Sequence, residues 1–429
     1  MGLGQCQQTA GVEDVRRIVV GRVIRGFADG FVSVLLASYL TDLGFSPLGV
    51  GAIVTGTLLG SAGLTLAFGL NAYRTSLGRL LVWACLLMVA TGLGFAATTA
   101  FWPLLLVAVV GTLNPSSGDV SVFLPTEQAF LADRVEGSAR TRLYARYNLG
   151  AVFAGAFGAL ASGLPDRVAR STGWQLVSVE RLGFGLYGLA GVAILVLYRS
   201  LPNKETVSTA PAPASGQSSA DQPAVRPGRA LGSSRRIVLG LAALFSLDSA
   251  GSGFVVTSLL VLWLNLRFGL SRAVTAEVFF AAGLLGACSQ LLAPFLASRI
   301  GMVRTMVFTH IPANVLLILA AVAPTGRVAI ALLLARALFA QMDVPARQAF
   351  VMAVVPAEHR AAASSVTNVP RSLASATTPL IAGVLLTRTT FGWPLIIAGT
   401  IKITYDLLLL TLHRNTPELV AGGVGAGER

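Results

Sequence analysis

Charged residues are scarce in this chain. Only 12% of its 429 residues are charged and 54% are hydrophobic, whereas ordinary soluble domains carry about 25% charged residues. A mean hydropathy of +0.73 and repeated apolar runs of about 20 residues predict segments that cross a lipid bilayer. These runs are too long for barrel strands, and backbone in hydrocarbon must satisfy its own hydrogen bonds. We therefore expect an all-α membrane protein.

Reactive and metal-binding side chains are equally sparse. The three cysteines and three histidines do not cluster at metal-ligand or redox spacing, so we expect no metal site, no disulfide framework and no cofactor. The chain has no phosphate-binding Gly-Lys-Ser/Thr loop, which argues against ATP-driven pumping. No nucleophile and base recur together near the predicted membrane midplane, so we do not expect an enzyme.

The net charge of +13 comes from arginines that lie mainly in short loops between apolar runs. This placement indicates membrane topology rather than nucleic-acid binding, and it predicts that both termini lie in the cytoplasm. Arginine is abundant and lysine is rare, which suggests a GC-rich bacterium and hence its cytoplasmic membrane. We expect a monomer.

An internal repeat divides the chain. The hexapeptide at 125–130, Pro-Thr-Glu-Gln-Ala-Phe, returns 220 residues later at 345–350 as Pro-Ala-Arg-Gln-Ala-Phe. The same offset relates further pairs of identical residues: Arg140 and Arg360, Asn148 and Asn368, and Gly163 and Gly383. The repeat predicts two pseudo-symmetric halves.

Each half contains six predicted transmembrane helices. They are placed at about 18–41, 47–69, 80–99, 101–131, 143–164 and 176–199, and at about 236–264, 273–297, 303–323, 327–354, 362–386 and 392–412. The resulting domains are an amino-terminal segment (1–17), a first bundle (18–199), a flexible linker rich in Pro, Ala, Ser and Gln (200–234), a second bundle (235–412) and a tail (413–429).

Two six-helix halves joined by a polar linker resemble the major facilitator superfamily over residues 16–412. The loop after the second helix keeps the Gly-Arg pair of that family as Gly78-Arg79, and its counterpart contains Gly301 and Arg304. The family's usual Asp falls on Thr75 and Ser298, and the Gly-Pro pair of its antiporters is absent from the glycine-rich fifth helix. We expect those glycines to serve helix packing.

The resemblance implies alternating access, in which one half rocks against the other around a central cavity lined by helices 1, 4, 7 and 10. Each of these predicted helices carries an acid: Asp29, Asp119, Asp248 and Asp343. A charge in hydrocarbon costs about 2.5–3.5 kcal/mol even on lenient scales. We therefore expect these acids to face the cavity or a partner.

Local pairing is the structural alternative for two of the acids. Arg25 lies four residues before Asp29, and Arg347 lies four residues after Asp343, which is the spacing of salt bridges along one helix face. Lys402 and Asp406 have the same spacing in helix 12. Asp119 and Asp248 have no arginine within one turn, so they are the better candidates for substrate or proton binding.

We predict a proton-coupled secondary transporter that exports a small organic or toxic compound, as a drug/proton antiporter does. Two alternatives stay open. Buried arginines, including Arg25 and Arg336, favour proton-coupled uptake of a small anion. The chain could also be a membrane sensor or scaffold that transports nothing.

Two further features of the repeat region point to function. Asn114 and the Pro, Ser and Gly that follow it interrupt the fourth helix at membrane depth, as in transporters whose broken helices line a site. A packing kink is the alternative.

Glu127 and Arg347 carry opposite charges at equivalent repeat positions, which predicts that they meet in an inner gate. The alternative is that each is solvated, or that Arg347 pairs with Asp343. Glu180 is expected to be solvated at the outer interface.

Overall fold

A computed structural model describes residues 3–71, 75–116, 122–132, 137–201, 235–344, 346–347 and 360–413. The helices of these ranges are α1 (Leu3–Asp42), α2 (Pro47–Asn71), α3 (Leu77–Ala97), α4 (Phe101–Val110), α5 (Phe123–Ala132), α6 (Gly137–Ala161), α7 (Leu164–Thr172), α8 (Leu176–Tyr198), α9 (Arg235–Phe254), α10 (Thr257–Phe268), α11 (Arg272–Ile300), α12 (Met302–Ala321), α13 (Gly326–Ala337), α14 (Arg360–Arg388) and α15 (Trp393–His413).

These helices form the predicted all-helical, twelve-span fold. Spans 1, 2, 3, 5 and 6 are α1, α2, α3, α6 and α8, and span 4 is divided into α4 and α5. In the second half, span 7 is the bent pair α9 and α10, and spans 8 to 12 begin with α11, α12, α13, α14 and α15. Among the described residues, seven helices are individually long and apolar enough to cross a membrane, and the bent pair makes eight.

The helix bounds lie within a few residues of most predicted spans. Span 1 differs because α1 begins at Leu3, so the segment predicted as a separate amino-terminal stretch continues the same helix. Residues 202–234 of the predicted linker and 414–429 of the tail lie outside the described residues.

The two halves repeat one packing pattern. In the first half α1 packs on α6 and α3 on α8, and in the second half α9 packs on α14 and α12 on α15. Between the halves, α2 packs on α14 while α6 packs on α11. Spans 2 and 11 thus form one inter-half contact, and spans 5 and 8 form its pseudo-symmetric counterpart.

Glycines allow α1 and α6 to approach closely. A Cβ at Gly158 would lie 1.9 Å from the carbonyl oxygen of Phe27, and one at Gly30 would lie 2.0 Å from that of Gly155. Real side chains cannot occupy these positions, so the backbones meet directly, as small residues permit in membrane helices. The packing role expected for the span 5 glycines is confirmed at Gly155 and Gly158.

Candidate functional site

A buried salt bridge joins span 1 to span 4 in the first half. Arg25 Nη1 lies 2.5 Å from Glu127 Oε1, and Arg25 Nη2 lies 2.8 Å from Oε2. Tyr198 donates a hydrogen bond to Oε1 at 2.7 Å, and Tyr147 donates one to Oε2. The Phe123 ring centroid is 4.4 Å from the guanidinium carbon. We call Arg25, Glu127, Tyr147 and Tyr198 the N-half network; it ties together spans 1, 4, 5 and 6.

Asp29 lies one turn beyond Arg25 on α1 and is 4% exposed. Its Oδ1 is buried and has no hydrogen-bond partner. Both terminal nitrogens of Arg25 bind Glu127 instead, because the fork of a guanidinium fits both oxygens of one carboxylate. The local pair expected between Arg25 and Asp29 is therefore replaced by a contact between helices.

A second buried network occupies the second half. Asp248 on α9 accepts a hydrogen bond from Lys402 Nζ at 2.7 Å through Oδ1, and one from Arg347 Nη1 at 3.0 Å through Oδ2. Arg347 also lies 3.4 Å from Asp343, which is the predicted pair four residues apart. His310 Nε2 is 3.8 Å from Asp248 Oδ1.

His310 extends this network to a further acid. Its Nδ1 lies 2.9 Å from Asp406 Oδ1 and 3.1 Å from Oδ2, and Asn314 donates to Asp406 Oδ2 at 3.4 Å. The predicted pairing of Lys402 with Asp406 is wrong, because the flexible lysine side chain reaches across to Asp248 on the neighbouring helix. The members Asp248, His310, Asp343, Arg347, Lys402 and Asp406 form what we call the C-half network.

The predicted interruption of span 4 is present, and it contacts a similar break in span 7. α4 ends at Val110, and residues 111–116 are not helical. Asn114 Oδ1 accepts hydrogen bonds from the amide and the hydroxyl of Ser116 at 3.1 and 3.0 Å. The freed Pro115 carbonyl accepts a hydrogen bond from the Ser258 amide at 3.2 Å. Ser258 Oγ is also 2.6 Å from the Ser33 carbonyl oxygen.

The candidate acid Asp119 follows this interruption, in the stretch 117–121 that lies outside the described residues. Arg336 lies on α13, is partly exposed, and has an Nε that is buried without a hydrogen-bond partner.

An ion cluster joins the halves at the end of the bundle that holds the α1–α2 turn, which we call the distal side. Arg272, at the start of α11, binds three acids of the first half: Asp42, Asp166 at 3.4 Å and Glu180 at 2.5 Å. Glu180 is fully buried, so the expectation that it is solvated is wrong. No sequence pattern predicts this cluster, because its members lie in four separate segments.

Close backbone packing reinforces the distal side. The Leu48 amide donates to Thr387 Oγ1 at 3.1 Å across the two halves. A Cβ on Gly51 would lie 2.6 Å from the Pro379 carbonyl oxygen, and a Cβ on Gly383 would lie 2.6 Å from that of Pro47. The distal side is therefore closed in this structure.

Glu127 and Arg347, the predicted gate pair, each bind partners within their own half here. Their pairing stays a prediction.

Comparison with known proteins agrees with this architecture. The sequence profile of the Major Facilitator Superfamily matches residues 18–335. An uncharacterized membrane protein of Saccharomyces cerevisiae is 25% identical, and the match covers 92% of this chain and 93% of the yeast protein.

Solved structures with the same fold are transporters. The nucleoside transporter NupG, in a mutant form, is 12% identical with a TM-score of 0.71, covering 93% of this chain and 99% of that one. The xylose transporter XylE from E. coli is 13% identical with a TM-score of 0.68, covering 94% of this chain and 100% of that one. A bacterial homologue of the human lysosomal transporter Spinster is 12% identical with a TM-score of 0.68, covering 94% and 98%. The chain therefore belongs to the major facilitator superfamily, and it is a membrane transporter rather than an enzyme.

Proposed function

We propose that this chain is a proton-coupled secondary transporter that moves a small organic solute by alternating access. With both termini in the cytoplasm, the distal side faces outward, so the contacts described above close the outer side of the bundle. Loosening the distal contacts of Arg272 and closing the opposite side then exposes the same central residues to the other compartment.

The observation that carries the proposal is the pair of buried networks, one in each half, built on spans 1 and 4 and on spans 7 and 10. Ionisable residues are costly inside a membrane and mark ion and substrate pathways when they face the interior of a bundle. Asp29 has a buried carboxylate oxygen without a partner, which makes it a candidate atom for binding a proton or a cationic group. Asp248 and Asp343 are the corresponding candidates in the second half.

Unsatisfied arginine nitrogens support a second candidate, proton-coupled uptake of an anion. The Nε atoms of Arg22, Arg25 and Arg336 are buried and have no hydrogen-bond partner. A carboxylate or phosphate group would supply the missing acceptors. Export of a neutral or cationic compound and uptake of an anion therefore predict opposite directions of flux and different sensitivity to loss of Arg336.

A transport assay separates these functions. A host stripped of efflux pumps is screened with a panel of toxic organic cations, neutral compounds and organic acids, and hits are assayed with the purified chain in proteoliposomes. We expect flux that collapses when the proton gradient is dissipated and in Asp29→Asn. Flux of a hit that is indifferent to both would overturn proton coupling. Inward flux of an acid that is lost in Arg336→Gln would favour uptake.

A further inference from the structure

We propose that His310 is a proton-carrying residue of the transporter in the second half, held between Asp406 and Asp248 within the C-half network. The proposal rests on the proposed proton coupling and deepens it by naming a second group, besides Asp29, that binds a proton. It also assigns roles to Asp406 and Asn314 as residues that position the imidazole.

The first argument is the environment of Asp406. This carboxylate is 0% exposed, and its hydrogen-bond partners are His310 Nδ1 at 2.9 Å and Asn314 Nδ2 at 3.4 Å. An ionised carboxylate only accepts hydrogen bonds, so Nδ1 carries the hydrogen in that contact. Asp406 thus fixes the tautomer and leaves Nε2 as the atom whose protonation can change.

The second argument is the direction of Nε2. It lies 3.8 Å from Asp248 Oδ1, the atom that Lys402 Nζ approaches to 2.7 Å. When Nε2 takes a proton from water, the imidazole becomes an imidazolium with a second donor aimed at Asp248. When it releases the proton, the neutral Nδ1–H tautomer returns. Protonation of His310 therefore changes how strongly Asp248 interacts with Lys402 and Arg347.

One of those other cations lies in the internal repeat. Asp248 Oδ2 binds Arg347 at 3.0 Å, and Arg347 lies on span 10 in the second copy of the repeated hexapeptide. An imidazolium at His310 adds positive charge beside Asp248 and weakens its hold on Lys402 and Arg347. Protonation thereby frees Arg347 to change partner as the halves move.

Several further groups surround His310 and Asp248. The Tyr405 ring on α15 lies edge-on to the imidazole, with centroids 6.1 Å apart. Asp343 contacts Arg347 at 3.4 Å, and Arg371 on α14 donates to Ser249 at 3.2 Å. His310 is the group among these whose side-chain type ordinarily changes charge between pH 5 and 8.

The N-half network contrasts with this arrangement. Glu127 is bound by both terminal nitrogens of Arg25 and by the Tyr147 and Tyr198 hydroxyls. Arginine stays charged in proteins and phenols ordinarily titrate near pH 10. That network is built as a fixed salt bridge, whereas the C-half network contains a histidine.

The test uses the full chain, labelled with ¹⁵N-histidine, in lipid bilayers. Nitrogen NMR spectra are recorded from pH 5 to 9, and the His310 signals are assigned by their loss in His310→Gln. We expect them to change from the Nδ1–H neutral tautomer to the imidazolium within this range. Asp406→Asn should reduce the share of the Nδ1–H tautomer in the neutral ring, because an amide can donate as well as accept a hydrogen bond and no longer fixes the hydrogen on Nδ1. His310 signals that keep one protonation state from pH 5 to 9 would overturn the proposal.

Transport by variants separates this inference from the proposed function. The probe is the compound that the screen identifies, and the control is His413→Gln at the end of α15. We expect His310→Gln to lose acceleration by a proton gradient while it keeps exchange of labelled for unlabelled compound without one. Gradient-driven flux in His310→Gln equal to that of the unmodified chain would refute the role of His310 and leave proton coupling intact. Absence of gradient-driven flux in the unmodified chain, with exchange intact, would refute both.

Discussion

Arg25 and Glu127 form a two-pronged salt bridge between spans 1 and 4, with N–O distances of 2.5 and 2.8 Å. The second half contains the corresponding bridge between spans 7 and 10, where Asp248 binds Arg347 at 3.0 Å. Glu127 and Arg347 are equivalent positions of the internal repeat. A buried salt bridge thus joins the same pair of spans in both halves, and the repeat-equivalent member is the acid Glu127 on span 4 in one half and the base Arg347 on span 10 in the other.

Replacement of Glu127 by Gln should destabilise the chain strongly. Arg25 is 1% exposed, and removal of its partner leaves a buried charge that typically costs about 3–5 kcal/mol. We expect a large fall in the midpoint of thermal unfolding, measured in detergent by fluorescence of a thiol- or tryptophan-based probe.

Glu13→Gln is the matched control for that change. Glu13 pairs with Arg16 and Arg17 at 3.9 and 3.6 Å on an exposed face, where ion pairs contribute about 0–1 kcal/mol. Its unfolding midpoint should be close to that of the unmodified chain. Equal midpoints for Glu127→Gln and Glu13→Gln would contradict the structural importance of the N-half network.

Hydropathy and the repeat were sufficient to predict the helical fold, because transmembrane helices are encoded by contiguous apolar residues. Pairing of the charged side chains was harder to predict. Spacing of four residues correctly paired Asp343 with Arg347 but gave Asp29 as the partner of Arg25 and Asp406 as that of Lys402. Long basic side chains instead reach acids on neighbouring helices, and helix packing is not visible in local spacing.

The ion cluster at the distal side could not be predicted from local spacing either. Asp42, Asp166, Glu180 and Arg272 lie on four different helices, and none has an apolar context that distinguishes it from a solvated loop residue. Glu180 is fully buried and is bound by Arg272, which begins α11 of the other half. Only the arrangement of the two halves determines that contact.

Arg272→Gln should open the distal side. Arg272 is partly buried and binds three acids, and its loss leaves the fully buried Glu180 without a cation, a change that typically costs about 2–5 kcal/mol at interfaces. We expect distances between spin labels on Thr172 and Arg388, exposed distal residues of the two halves, to shift toward a longer population. Arg167→Gln, an exposed arginine on α7, should leave the distance distribution unchanged. An unchanged distribution in Arg272→Gln would show that the cluster does not hold the distal side closed.

Gly158→Val should change the unfolding midpoint, whereas Gly51→Val should change the distance between the two halves at the distal side. Gly158 packs within the first half, where a Cβ would lie 1.9 Å from a backbone oxygen, so Gly158→Val should lower the unfolding midpoint, as overpacking does. Gly51 packs against the other half through Pro379 and Gly383. Gly51→Val should therefore leave the first half folded and lengthen the distal spin-label distances.

Gly185→Ala is the control for both glycine variants, because a Cβ there meets no atom within 4 Å. It should preserve both the unfolding midpoint and the distance distribution. If Gly51→Val lowers the midpoint as much as Gly158→Val and leaves the distances unchanged, the close contact of α2 with α14 is not specific to the distal-closed state.

The unfolding midpoints and gradient-driven flux of Asp29→Asn and Asp248→Asn should distinguish a carboxylate needed only for transport from one that also stabilises the fold. Asp248 binds Lys402 at 2.7 Å and Arg347 at 3.0 Å, so its neutral replacement leaves two buried cations poorly compensated and should cost about 3–5 kcal/mol. Asp29 has a buried oxygen without a partner, and the amide removes a charge that is costly in that place. Asp29→Asn should therefore keep or raise the unfolding midpoint while it abolishes gradient-driven flux. A fall in the midpoint of Asp29→Asn as large as that of Asp248→Asn would make Asp29 a structural residue.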